Sequence, residues 1–314
     1  MKKRNVGRSG LQVTLVGLGC NNFGGRIDLE ASRKVVHKAL DLGITLFDTA
    51  DIYGNSGGSE EYLGQILGDR RKDIVLATKF GRPMDEAETQ KGASRRYIIS
   101  AVEGSLRRLR TDWIDLYQLH APDPLTPIEE TLRALADLVH QGKVRYIGCS
   151  NLPAWQVVEA QWTARQPSLE HFISCQDEYS LLVRDIEREL LPAMQAHGMG
   201  LLPYFPLASG LLTGKYQSNA PLPADARLTN TQRLAERYLT EANWRIVDRL
   251  QAFAAARGRS LLELAFSWLA AQPAVASVIA GATKPEQVEQ NVSAVDWTLT
   301  AEDLAEIDRL SAHS

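Results

Sequence analysis

The sequence predicts an α/β fold: one (β/α)8 barrel preceded by a short β-hairpin. Three observations predict it. Brief apolar runs alternate with amphipathic helical stretches until eight strands have been laid down. Those runs are nearly continuous in apolar residues, as expected of strands covered on both faces. No stretch reads as an interdomain linker, so residues 1–314 are expected to form one domain. Strands joined through helices run parallel, because right-handed crossovers link parallel neighbours.

Residues 4–15 read as two short strands around Gly7-Arg8-Ser9-Gly10, a hairpin signal. The barrel strands are expected at Leu15–Gly19, Thr45–Asp48, Ile74–Lys79, Ile114–His120, Tyr146–Ser150, Phe172–Gln176, Gly200–Tyr204 and Val275–Ile279. Between the third and fourth, residues 95–110 carry Ile99, Val102, Leu106 and Leu109 at helical spacing. Residues 127–141 repeat the pattern with Ile128, Leu132, Leu135 and Val139. That helix is expected to open on a capping box, Thr126-Pro127-Ile128-Glu129, with proline at its first position. Ser260–Glu263 and Thr283–Glu286 are further box-like starts. Segment 207–243, rich in Gly, Pro, Ala and polar residues, reads as a long loop after the seventh barrel strand. An open doubly wound sheet is the competing architecture. Its fingerprint would be Gly17-Leu18-Gly19-Cys20-Asn21-Asn22, where Asn22 replaces the third glycine and would crowd the helix–strand contact.

Composition excludes several classes. Hydrophobic residues make up 44% and charged residues 23%, enough apolar surface for a large core. A net charge of −3 argues against nucleic acid or an anionic membrane as the main partner. Met1-Lys2-Lys3-Arg4 is basic, but no apolar signal segment follows, and no apolar run approaches the roughly 18 residues of a spanning helix. Cys20, Cys149 and Cys175 are too scattered for a disulfide framework or a zinc site. The expectation is a cytoplasmic protein without a metal.

The polar residues fall in a pattern. Asp48, Lys79, His120, Ser150-Asn151, Gln176 and Tyr204 sit at the C-terminal ends of successive apolar strands. Each taken alone is a turn former, a cap or a solvated edge residue. Together, in a barrel, they meet on the face where barrel active sites lie. Asp48 and Lys79 would pair across neighbouring strands. The Lys79 ammonium beside the Tyr53 hydroxyl would lower a pKa that starts near ~10 towards that of a usable general acid. His120 would orient a carbonyl or relay a proton. Ser150, Asn151 and Gln176 suit a carboxamide, and Tyr204 offers a flat stacking ring. Asp51 drops out as a loop residue.

The chain resembles the aldo-keto reductase family. The motifs are Phe47-Asp48-Thr49-Ala50-Asp51-Ile52-Tyr53-Gly54, Ala77-Thr78-Lys79-Phe80-Gly81, Gln118-Leu119-His120-Ala121-Pro122-Asp123 and the run 142–151 ending in Cys149-Ser150-Asn151. They continue with Gln176-Asp177-Glu178-Tyr179-Ser180, the run 206–216 and the run 281–291. The likeness covers nearly the whole chain and is strongest to bacterial general reductases and the potassium-channel β-subunit branch. It implies a barrel whose bottom is closed by the hairpin, with NADPH extended across the top. It implies a tetrad of Asp48, Tyr53, Lys79 and His120 that reduces aldehydes or ketones by hydride transfer, tyrosine protonating the alkoxide. It assigns Ser150, Asn151 and Gln176 to the carboxamide and Tyr204 to stacking. Pro206, Leu207, Ser209, Gly210 and Lys215 would cover the pyrophosphate. Gly281, Thr283, Gln287, Gln290, Asn291 and Arg227 would surround the adenosine ribose and its phosphate.

Departures from the family pattern are Phe205 after the stacking ring, Asp177 in place of a frequent asparagine, and Lys284 as the one cation of 281–287. A phosphate dianion near Lys284 and a helix N-terminus would favour NADP(H) over NAD(H). Asn21, Asn22, Phe23, Phe80, Arg82 and Tyr179 are candidates for the substrate wall. The chain stops soon after its last helix (301–311), so an open site and broad carbonyl specificity are expected. Two other functions compete: a cofactor-binding regulatory subunit with slow turnover, and a Schiff-base lyase with Lys79 as nucleophile.

Overall fold

The structure, a computed structural model, describes residues 1–218, 220–224 and 226–312. Its strands are β1 (Lys3–Asn5), β2 (Gln12–Thr14), β3 (Val16–Gly19), β4 (Leu46–Asp48), β5 (Val75–Phe80), β6 (Ile114–Leu119), β7 (Val144–Ser150), β8 (Ser174–Glu178), β9 (Gly200–Tyr204) and β10 (Val278–Gly281). The helices are α1 (Leu29–Asp41), α2 (Tyr53–Leu67), α3 (Arg95–Leu109), α4 (Ile128–His140), α5 (Ala154–Thr163) and α6 (Leu190–Ala196). They continue as α7 (Gln232–Tyr238), α8 (Glu241–Ala255), α9 (Leu261–Ala271), α10 (Pro285–Ser293) and α11 (Ala301–Ser311).

Eight strands form one parallel sheet in the order β10-β3-β4-β5-β6-β7-β8-β9. The stretch just before β10 closes the ring: Leu201 N donates to Ala274 O at 2.7 Å, and Ala276 N donates to Leu201 O at 2.9 Å. The fold is therefore the expected (β/α)8 barrel. The last strand begins three residues later than predicted, because Val275 is spent on this bridge to β9. Phe172 and Ile173, predicted as strand, precede β8.

Alternate residues of a strand face opposite sides, and here the two sides differ in chemistry. Leu46, Ala77, Leu116, Leu202 and Ile279 form one small cluster with Val6, Leu11 and Val13 of the hairpin region. Phe47, Leu76, Tyr117, Leu119 and Leu201 belong to the larger cluster shared with the helices. The first set is the lower barrel interior, with the hairpin β1–β2 plugged against it. The hairpin turn is tied down as well, Arg8 N donating to Gly198 O at 2.7 Å. Two residues further along the same strands stand Asp48, Lys79, Gln118, Tyr204 and Gly281. The interior is thus apolar at the bottom and polar at the top.

The helices correct several local expectations. Helix α3 buries Ile98 and leaves Ile99 40% exposed, so the apolar face is Ile98, Val102, Leu106 and Leu109. No capping box opens α4: Thr126 Oγ1 donates to Asp123 Oδ2 at 2.8 Å instead. At α10 the side chain that reaches back belongs to Gln287, whose Oε1 accepts from Thr283 N at 2.7 Å. The box at Ser260–Glu263 forms as expected, and Thr300 with Asp303 makes another that the sequence reading missed. Segment 207–243 is less open than predicted. It holds a 3-10 turn at Ala208–Thr213, all of α7 and the start of α8.

Candidate active site

The polar strand ends meet around a cavity of about 870 Å³. Its deepest ion pair is Lys79 Nζ with Asp48 Oδ2 at 2.7 Å, both side chains almost fully buried. Lys79 also donates to Thr49 O at 2.8 Å. The other Asp48 oxygen accepts from Gln176 Nε2 at 2.9 Å and from Gln118 Nε2 at 3.2 Å. A buried carboxylate left partly unpaired would be costly, and these three donors account for both of its oxygens. Gln118 had no predicted role. It and His120 are successive residues on the interior face of the strand that becomes β6, a period-2 signal that would have exposed it.

Tyr53 stands at the start of α2, with Lys79 Nζ 5.0 Å from its ring centroid. Burial pushes the phenol above its ordinary pKa, and the Lys79 charge pulls it part of the way back. The expected lowering is therefore corrected: desolvation outweighs the ammonium, so Lys79 moderates a rise. Burial alone would drag the Lys79 ammonium down, but Asp48 and then Tyr53 together hold it above its usual value. The His120 ring meets Tyr53 edge-on, centroids 5.7 Å apart. Burial, then the charges of Lys79 and Arg82, push His120 far below the usual histidine range, so it is neutral at pH 7. Its Nδ1 is buried and without a hydrogen-bond partner.

The residue after Tyr53 must be small. Gly54 has φ +71°, and a Cβ there would lie 2.4 Å from Phe23 O. Gly54, Asn55 and Ser56 make a left-handed turn before α2 proper begins. Behind it, Asp51 lies in the loop as expected, but it is buried. It is 1% exposed, with neither carboxylate oxygen hydrogen-bonded. Burial, then the nearby Glu60 carboxylate, push it up to about 8.

Every residue expected to hold the cofactor lines the cavity: Ser150, Asn151, Gln176, Tyr204, Pro206, Leu207, Ser209, Gly210, Lys215, Arg227, Gly281, Thr283, Gln287, Gln290 and Asn291. Asp48, Tyr53 and His120 line it too, with Lys79 reaching in from beneath through Asp48 and Tyr53. Asn151 fixes Tyr204: its Oδ1 accepts from the phenol at 2.8 Å, while its Nδ2 donates to His120 O and Ser150 Oγ, each at 2.9 Å. Gln176 lines the cavity while its amide nitrogen is spent on Asp48. After Tyr204 the backbone turns left-handed at Phe205, Ala208 and Ser209. The Arg227 guanidinium lies over the Phe205 ring, 5.0 Å from its centroid.

A nicotinamide dinucleotide suits this cavity. A cation set suited to phosphates lines it, Ser209 Oγ is buried there without a partner, and Gly281 leaves its floor clear. A Cβ on Gly281 would come within 3.1 Å of Asn21 Oδ1 and Asn22 Nδ2. Of the residues considered for the substrate wall, Asn21, Asn22 and Arg82 line the cavity. Phe23, Phe80 and Tyr179 are core instead, Phe80 stacking on Tyr117 and Tyr179 packing on Trp268. Lys284 is exposed at the start of α10, between the lining residues Thr283 and Gln287, and does not itself line the cavity. The cations that do line it include Arg26, Arg233 and Arg237, which the sequence reading did not single out. Among the described residues no cluster of His, Cys, Asp and Glu could hold a metal, and no helix is long and apolar enough to cross a membrane.

The buried Lys–Asp pair, the tyrosine and the histidine stand at the C-terminal rim of a parallel eight-stranded barrel, the face on which barrel enzymes carry their active sites. The chain belongs to the Aldo/keto reductase family, whose model matches residues 15–312. It is 40% identical over 303 residues to a rice protein (Oryza sativa subsp. japonica) named "Probable voltage-gated potassium channel subunit beta", covering 94% of this chain and 92% of that one. It is 37% identical over 324 residues to the L-glyceraldehyde 3-phosphate reductase of Escherichia coli K12, covering 98% and 92%. Among solved structures, aldo-keto reductase AKR11C1 from Bacillus halodurans in its holo form superposes with a TM-score of 0.84 at 35% identity, covering 100% of this chain and 97% of that one.

Proposed function

We propose that this protein is an NADPH-dependent reductase of small aldehydes or ketones with Tyr53 as its general acid. The observation that carries the reading is the convergence of Tyr53, His120 and the Lys79–Asp48 pair on the cavity lined by all the expected cofactor residues. The dinucleotide would supply hydride to the carbonyl carbon. Tyr53 donates its proton to the carbonyl oxygen as negative charge develops there. Lys79, held by Asp48, stabilises the tyrosinate left behind. Neutral His120 lies against the Tyr53 ring, where its one N–H would hold the carbonyl oxygen towards the phenol. Gln176 and Ser150 orient the carboxamide while Tyr204, pinned by Asn151, supports the ring. Preference for NADP(H) rests on the cations lining the cavity, which favour an added phosphate dianion. A reducing cytoplasm suits the buried free thiols of Cys20, Cys149 and Cys175.

The rice relative motivates a second reading, a regulatory subunit whose turnover is slow and whose association with a partner is the point. Steady-state oxidation of NADPH and of NADH against aliphatic and aromatic carbonyls separates the two. The reductase reading expects turnover with several aldehydes and a lower KM for NADPH. Tight NADPH binding with no turnover on any carbonyl would leave the regulatory reading standing.

A further inference from the structure

We propose that Arg82 is a substrate-anion anchor: the site favours small carbonyl compounds bearing a phosphate or carboxylate, held by the Arg82 guanidinium beside Tyr53 and His120. This rests on the reductase reading.

The cavity wall carries more positive charge than its own carboxylates neutralise. Among the described residues, only Asp48 and Glu178 face it as acids. Asp48 is taken by Lys79, and Glu178 pairs with Arg237 at 2.6 Å and accepts from the Tyr238 hydroxyl. The remaining cations divide by position. Lys215, Arg227 and Arg233 follow β9, on the side of the expected pyrophosphate and adenosine phosphate, and the charge of Arg26 acts on Lys215 and Arg227. A dinucleotide's phosphates account for these.

Arg82 stands elsewhere. It follows β5, whose neighbours in the barrel are β4, leading to Tyr53, and β6, ending before His120. The expected cofactor residues all come from β7 onwards. Arg82 is close enough for its charge to act on Tyr53, His120 and Tyr204. Among the described residues it makes no ion pair. Of the acids in its own loop, Asp85 accepts from Thr89 N at 2.8 Å and Glu88 pairs with Lys91, while Glu86 makes no ion pair with Arg82. The loop's stem is fixed, Gly92 N donating to Gly81 O at 2.9 Å and Ala93 N to Asp123 Oδ2 at 2.7 Å. A surface arginine without a partner is ordinarily just solvated. This one is on a pinned stem and on the wall of the reaction cavity, after a strand that carries none of the expected cofactor residues. Its planar fork matches the oxygens of a phosphate or carboxylate.

The test compares initial rates of the NADPH-loaded protein with glyceraldehyde against glyceraldehyde 3-phosphate, and benzaldehyde against 4-carboxybenzaldehyde. Wild type should favour a charged member by about tenfold or more in kcat/KM, mostly through KM. Which pair shows the preference identifies phosphate or carboxylate as the favoured anion. Arg82→Gln should bring that ratio close to one, and Arg82→Lys should restore part of it. A wild-type ratio near one in both pairs, or a ratio that survives Arg82→Gln, overturns the proposal. Absence of turnover with all four compounds would count against the reductase reading instead. Calorimetric titration of NADP⁺-loaded protein with glycerol 3-phosphate and with benzoate then decides: saturable binding lost in Arg82→Gln supports the anchor, and no binding, or equal binding by both proteins, overturns it.

Discussion

At the scale of single residues, burial governs the chemistry more than the sequence suggested. Lys79 sits where a strand-end cation was expected, yet Tyr53 still titrates above an ordinary phenol because the pocket desolvates it. Removing the Lys79 charge should raise it further. Because the protonated phenol is the active form, the alkaline limb of the pH–rate profile should move to higher pH in Lys79→Met, with a lower kcat. Pairing that change with Asp48→Asn avoids leaving a buried carboxylate unpartnered. An unmoved limb in an active variant would show that Lys79 does not act on the acid. Asp51 gives a second prediction. Its folded pKa of about 8 lies well above the ordinary carboxylate value, so the unfolded chain loses the proton first. Stability should therefore fall as pH rises from roughly 4 to about 8, and level off above. Asp51→Asn should remove that contribution to the slope and leave the variant about 5 kcal/mol more stable than wild type at pH 8, read by urea unfolding at pH 5 and pH 8. Equal slopes in the two proteins would contradict it. The strand-end residues of the site were legible because they interrupt apolar runs. Asp51 was not, since nothing local distinguishes a buried loop carboxylate from a solvated one. The cavity arginines Arg26, Arg233 and Arg237 were missed for the same reason: they follow no period.

At the scale of elements, the turn after Tyr53 is held against backbone preference. Asn55 and Ser56 have φ +61° and +63°, a region where side chains other than glycine cost energy. Ser56 is exposed and its side chain makes no hydrogen bond, so Ser56→Gly should relieve strain without losing a contact. The expected gain is about 1 kcal/mol in urea unfolding, and no gain would mean the turn is not strained there. Sequence periodicity located the helices but not always their phase. In α3 the choice between Ile98 and Ile99 depends on which side meets the barrel, a tertiary fact. The box expected at α4 failed because Asp123 competes for the Thr126 hydroxyl.

At the scale of the whole molecule, the barrel was legible because its strands and helices alternate without interruption and each strand changes from apolar to polar at the same end. The closure of the ring was less so, since one segment near Val275 pairs with β9 and the next, β10, with β3. That closure brings residues far apart in the chain, from Asp48 to Asn291, onto one cavity. The hairpin plugs the opposite end, so chemistry is confined to the polar rim. The account's central claim is that this rim reduces carbonyls with Tyr53 as the acid. The most direct measurement is steady-state NADPH oxidation with a responsive aldehyde by wild type and Tyr53→Phe, alongside fluorescence titration of NADPH. The account predicts that the variant loses roughly 10²–10⁴-fold in kcat while its NADPH affinity stays close to that of wild type. Retention of wild-type kcat by Tyr53→Phe would contradict it.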